Sequence, residues 1–99
     1  MPKNPPKPRD PYKVACGERL KFVRQALGFD AYETFADENA IGSDAYNAWE
    51  RGVNMVPPWF VQRLKAKYGV THEYIYSDDP TRLPGDLRDR LTVLRTAAE

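Results

Sequence analysis

Apolar residues recur three or four positions apart along most of this chain, and the runs they form are cut by Gly28, Gly42, Gly52, Gly69 and Asp79-Pro80. That pattern confines the fold to short helices. No stretch alternates apolar with polar residues as a half-buried strand does, so the expected class is all-α. Over residues 14–27, Leu20, Val23 and Leu27 share one face, Arg19, Lys21, Arg24 and Gln25 take the others, and Gly28 ends the run. Asp30 stands three residues before Glu33, the spacing of a capping box, and opens a second helix through Asn39 that buries Phe35 and Ala36. After a break at Ala40-Ile41-Gly42, either Gly42 or Ser43 caps a third helix ending at Arg51, with Ser43 preferred for its hydroxyl. Trp49 follows Tyr46 at helical spacing and faces inward, which leaves Asn47 and Ala48 outward, and Gly52 takes the left-handed terminal position. Residues 53–58 form a loop. Pro57-Pro58 lead into a fourth helix with Phe60, Val61, Leu64 and Tyr68 inward, and Thr71 caps a short fifth with Tyr74 and Ile75 inward.

A chain of 99 residues with 41% apolar and 12% aromatic content supports one small folded module, without room for a large catalytic cleft. Residues 1–12 carry Pro2, Pro5, Pro6, Pro8 and Pro11, which forbid a helix, and the basic Lys3, Lys7 and Arg9, with Lys13 just beyond, face only Asp10. They read as a flexible basic arm, either lying along a DNA groove or solvated without a partner. Residues 13–79 form the helical domain. Residues 80–99 form a linker and an amphipathic helix starting at Pro84 or Asp86, with Leu83, Leu87, Leu91 and Leu94 on one stripe. That stripe, at Leu87, Leu91 and Leu94 above all, is either a dimer contact or a face packed on its own domain. No apolar stretch is long enough to span a bilayer and no signal peptide is apparent, so a cytoplasmic location is expected, with no membrane partner. A single cysteine, Cys16, excludes an internal disulfide, and His72 alone leaves too few ligands for zinc, so neither a metal nor a cofactor is expected.

The ordered set Gly17-Glu18-Arg19-Leu20, Arg24, Ala36, Trp49-Glu50-Arg51-Gly52 and Tyr68-Gly69-Val70-Thr71 with Tyr74-Ile75 resembles the phage lambda repressor and Cro-like, or XRE-type, helix-turn-helix family over residues 14–79. The resemblance implies a compact five-helix domain flanked by the basic arm and the short C-terminal helix. It implies a structural ion pair between Arg24 and Glu50, and a third helix that enters the major groove with Ser43, Asp44, Asn47 and Ala48 toward the bases. In that setting the Asn47 amide matches the N6 and N7 edge of adenine, Asp44 suits the N4 amine of cytosine, and Ala48 meets a thymine methyl. Phosphate contacts fall on Tyr32, Arg51 and Asn54. The implied function is a sequence-specific transcriptional regulator of double-stranded DNA, working as a homodimer on two half-sites.

The charge pattern pulls the other way. Residues 30–50 hold Asp30, Glu33, Asp37, Glu38, Asp44 and Glu50 with no lysine or arginine, and the loop at 53–58 has no basic residue. Such a surface lacks the positive field that draws a domain to DNA. The alternative reading is therefore a protein-interaction module on the same scaffold with weak or lost DNA binding, whose acidic second and third helices either meet a basic partner or have merely lost their DNA role. Catalysis is not expected, because Glu33 and Asp37, although four apart, lack an accompanying nucleophile, metal ligand or Gly-rich loop.

Overall fold

The computed structural model describes residues 9–98, and within them the chain forms six helices and no strand. These are α1 (Pro11–Ala26), α2 (Tyr32–Glu38), α3 (Ser43–Glu50), α4 (Pro58–Tyr68), α5 (His72–Ser77) and α6 (Gly85–Ala98). Among the described residues no helix is long and apolar enough to cross a membrane.

Three of the helix starts differ from expectation. α1 begins at Pro11, inside the stretch expected to be arm, because Pro11 stands at the first helical position, where its missing N–H would have had no partner. The Asp10 carboxylate caps it, accepting from the backbone N–H groups of Tyr12 at 2.8 Å and Lys13 at 3.4 Å. Ala31, not Asp30, precedes α2, and no side chain caps that end. The Asp30 carbonyl has another task, since it accepts from Arg24 Nη1. Gly42, not Ser43, holds the cap position of α3, so Ser43 is already helical and its hydroxyl caps nothing. Thr71 does cap α5, its hydroxyl accepting from the Tyr74 N–H at 3.1 Å.

The first three helices end in the same way. After α1, Phe29 N–H bonds the Arg24 carbonyl and Gly28 N–H that of Gln25; after α2, Ile41 bonds Ala36 and Ala40 bonds Asp37; after α3, Val53 bonds Ala48 and Gly52 bonds Trp49. Each is the double bond pattern that reverses a helix C-terminus through one left-handed residue. Gly52 (φ +71°) fills that place after α3, and Ala40 (φ +57°) fills it after α2 despite carrying a side chain. Gly52 is further required because a Cβ there would lie 2.7 Å from Val14 Cα. These tight reversals keep α1, α2 and α3 close in space as well as in sequence.

The core joins every helix. Leu20 and Val23 of α1, Phe35 of α2, Tyr46 of α3, Phe60 and Leu64 of α4, and Tyr74 and Ile75 of α5 are buried together. Edge-on aromatic contacts run through it, Phe35 to Tyr46 at 5.5 Å and Tyr46 to Phe60 at 5.9 Å between ring centres. Burial also pushes the Tyr46 phenol far above its ordinary range, so it stays neutral at any accessible pH. α1 lies directly on the end of α3, with Gly17 against the carbonyls of Trp49 and Glu50, and a Cβ at residue 17 would collide with both.

The leucine stripe of α6 belongs to this core. Leu87 is 4% exposed and Leu91 2% exposed, and Leu94 packs against the same cluster. Of the two roles open to this stripe, a dimer contact or a face packed on its own domain, the structure shows the second, with the stripe turned onto the chain's own α1 to complete the hydrophobic core. Residues 80–98 are part of the domain and not an appended linker and helix.

Candidate nucleic-acid interface

α3 has eight residues, and its inward side is fixed at three points. Tyr46 and Trp49 are buried in the core, and Glu50, one turn on from Tyr46, meets Arg24 of α1. Arg24 Nε donates to Glu50 Oε2 at 2.7 Å and Nη2 to Oε1 at 3.2 Å, while Nη1 donates to the carbonyls of Phe29 at 2.8 Å and Asp30 at 2.6 Å. One guanidinium therefore ties α1, the α1–α2 connection and α3 together. Burial works against its charge, but the Glu50 carboxylate outweighs burial and holds the group protonated.

With 46, 49 and 50 pointing in, helical geometry turns 44, 48 and 51 to the opposite side, with 47 and 45 on its flanks. Asp44 and Arg51 are exposed, and Ser43, Asn47 and Ala48 are half-buried. Asn47 makes no side-chain hydrogen bond among the described residues, so its amide remains available to an external partner. Of the residues expected near phosphates, Arg51 and Asn54 are exposed, whereas Tyr32 is half-buried against the core. Lys3 and Lys7 lie outside the described residues. Arg9 is exposed, and its Nη1 donates to the Arg51 carbonyl at 3.1 Å, which puts a cation at the C-terminal end of α3, where the helix dipole favours it.

Two basic residues that sequence reasoning did not single out reach the end of α2 and the connection that leads into α3. Arg63 of α4 donates to the carbonyls of Asn39 at 2.7 Å and Ala40 at 3.4 Å, and its guanidinium lies 5.3 Å from the centre of the exposed Trp59 ring. Lys67, one turn further along α4, donates to the Glu38 carbonyl at 2.9 Å and pairs with the Glu38 carboxylate at 3.4 Å. The α2–α3 connection is therefore stapled by α4. Asn39 completes the staple from inside, buried and donating to the Phe35 carbonyl and the Tyr68 hydroxyl. The spacing of Arg63 and Lys67, four apart on one helix, was the available signal for a shared face.

The acidic character of this surface persists in three dimensions. Glu33, Asp37, Glu38 and Asp44 are all exposed, and of these four only Glu38 has an ion-pair partner among the described residues. No protein-family model, curated protein or solved structure matches the chain.

Proposed function

We propose that the chain is a sequence-specific double-stranded DNA-binding regulator on a lambda-repressor-like helix-turn-helix scaffold, with α3 as the reading helix. The observation that carries this reading is the division of α3 into two sides. Its inner side is locked by Tyr46, Trp49 and the Glu50–Arg24 pair, and its outer side offers Asp44 and Ala48, with the Asn47 amide on the flank. A rigid helix whose outward groups can donate, accept and make methyl contact has the chemistry that base edges in the major groove require. The charge at its two ends fits as well. With its side chains an α-helix is about 10–12 Å across, which the B-DNA major groove admits, and Arg63 sits on the connection leading into α3 while Arg9 and Arg51 stand at its exit. In this reading those guanidiniums, with Asn54, meet phosphates while α3 meets bases.

A second reading rests on the acidic groups themselves. Glu33, Asp37 and Asp44 are exposed without ion-pair partners among the described residues, as a surface that docks a basic protein would be. Selection of duplexes from a random pool at low salt, followed by salt titration, separates the two. A recovered duplex whose logarithmic affinity falls with a slope of about −0.9 per phosphate contacted supports the DNA reading. Failure to enrich any duplex sinks it and favours the protein partner.

A further inference from the structure

Arg9 fixes where residues 1–8 join the domain. Its Nη1 donates to the Arg51 carbonyl at 3.1 Å, so the junction stands beside the C-terminal end of α3. From there Arg51, Ala48 and Asp44 follow one another back along the outward side of the helix as a single stripe. Asp44 lies about 10 Å from Arg51 along the axis, whereas eight residues of chain reach as far as about 26 Å when extended. The stripe ends in unmatched negative charge. Of the cations that touch α2, α3 and their connection, Arg24 is engaged by Glu50, Lys67 by Glu38, and Arg63 by the carbonyls of Asn39 and Ala40. Asp30, Glu33, Asp37 and Asp44 are exposed and have no ion-pair partner among the described residues. Residues 1–8 carry Lys3 and Lys7 and no acid.

We propose that residues 1–8 dock on the outward side of α3, with Lys7 against Asp44 and Lys3 against the α2 carboxylates Glu33 and Asp37, and cover the helix until a duplex displaces them. The match is one of reach as well as sign. Lys7 stands two residues before Arg9, within about 7 Å of it in extended chain, and its long side chain covers the remaining distance to Asp44. Lys3, four residues further on, reaches past the start of α3. Four of the eight residues are proline, which limits the freedom that docking has to remove. Exposed ion pairs are individually weak, but the segment is tethered beside its target, so each encounter is intramolecular. Residues 1–8 and a duplex then compete for one surface, and the acidic face acts as the half of an autoinhibitory contact whose other half the same chain carries. That regulatory consequence rests on α3 being the DNA-reading helix; the docking itself does not.

The docking is read without nucleic acid, in proton–nitrogen correlation spectra of the full chain at low salt. Lys3→Glu with Lys7→Glu is expected to shift the backbone amides of Asp44, Asn47 and Ala48 and the Asn47 side-chain amide, while the core amides of Tyr74 and Ile75 stay in place. Added salt is expected to move the parent chain's signals at residues 44–48 toward those of the variant, because exposed pairs are screened. Signals at 44–48 that are indifferent to the charge reversal overturn the docking. A second measurement addresses the regulation. On a duplex selected at low salt, Lys3→Ala with Lys7→Ala is expected to raise affinity at least about threefold, since the competing segment loses both of its ion pairs. A loss of affinity shows that the two lysines bind the duplex instead and overturns the autoinhibitory role. Failure to enrich any duplex sinks the DNA reading alone, and the spectra still decide the docking.

Discussion

The Arg24 guanidinium and the Glu50 carboxylate form a two-bond ion pair whose side chains are only 5% and 6% exposed, and this pair links the first helix to the last turn of the third. Its position makes it a matter of folding. Removing one partner strands the other charge in the core, so Glu50→Ala is expected to cost about 3–5 kcal/mol of unfolding free energy in a urea titration. Replacing both with apolar residues, Arg24→Met with Glu50→Leu, removes the stranded charge, but the Phe29 and Asp30 carbonyls then lose their donor. Recovery is therefore expected to be incomplete. A double variant as stable as the parent chain would show that those two carbonyl bonds contribute nothing.

Ala40 occupies the left-handed position after α2 that Gly52 occupies after α3. A side chain in that region costs roughly 1–2 kcal/mol, and glycine gives back part of that relief through greater freedom in the unfolded chain, about 0.4–1 kcal/mol. Ala40→Gly is thus expected to stabilise the fold by about 0.5–1 kcal/mol, seen as a rise in melting temperature. A fall would mean that the Ala40 methyl makes a contact worth more than the backbone strain.

How far the fold can be read from the sequence follows from the range of the interactions involved. Local signals carried well: glycines and Pro80 bound the helices, Tyr46 and Trp49 point inward, and the Thr71 hydroxyl caps α5. Signals that compete across distance did not. Asp30 and Glu33 have the spacing of a capping box, but the Asp30 backbone is drawn to Arg24 on α1, and the box does not form. The leucine stripe of α6 was visible by its period, yet a period does not say which surface the stripe meets. Only the packing of α6 along α1 assigns Leu87 and Leu91 to the chain's own core. Arg63 and Asn39, which brace the α2–α3 connection, act on residues 24 and 29 positions away, beyond any local pattern.

Leu91 consequently behaves as a core residue. Leu91→Ala is expected to cost about 2–5 kcal/mol in chemical denaturation, and Leu91→Asp to unfold the chain instead of releasing a folded monomer. A soluble, cooperatively folded Leu91→Asp monomer would contradict the burial of this side chain at 2% exposure.

The other end of the domain is held by charge. Arg95 Nη1 of α6 donates to Asp78 Oδ1 at 2.7 Å, joining α6 to the residue that ends α5. That hydrogen bond holds the Asp78 carboxyl below its ordinary value of 3.8, with the nearby positive charge of Arg95 adding to it. A carboxylate with a lowered native pKa contributes stability that is fully present above the ordinary value and is lost as pH falls through the lowered one. The pair is partly exposed, so the effect is modest. Arg95→Ala is expected to flatten the loss of stability between neutral and strongly acidic pH relative to the parent chain, read from melting temperatures across that range. Identical pH profiles for the two would remove Asp78 from the account.

The outward side of α3 supplies the test closest to function, because Asp44 and Asn47 make opposite demands on a duplex. Asn47 carries a donor and an acceptor, so Asn47→Ala on a selected target is expected to relax preference at one base pair by about 1–3 kcal/mol and leave the others as they were. Asp44 can only accept, and away from a cytosine amine it repels the backbone. Two outcomes of Asp44→Asn therefore have distinct meanings. Loss of discrimination at a single C·G pair marks Asp44 as a reader, whereas a uniform gain in affinity for every duplex marks it as a repulsive charge that lowers non-specific binding. If neither substitution alters affinity or base preference on the selected duplex, α3 is not the reading element, and the acidic surface formed by Glu33, Asp37 and Asp44 becomes the place to look for a partner.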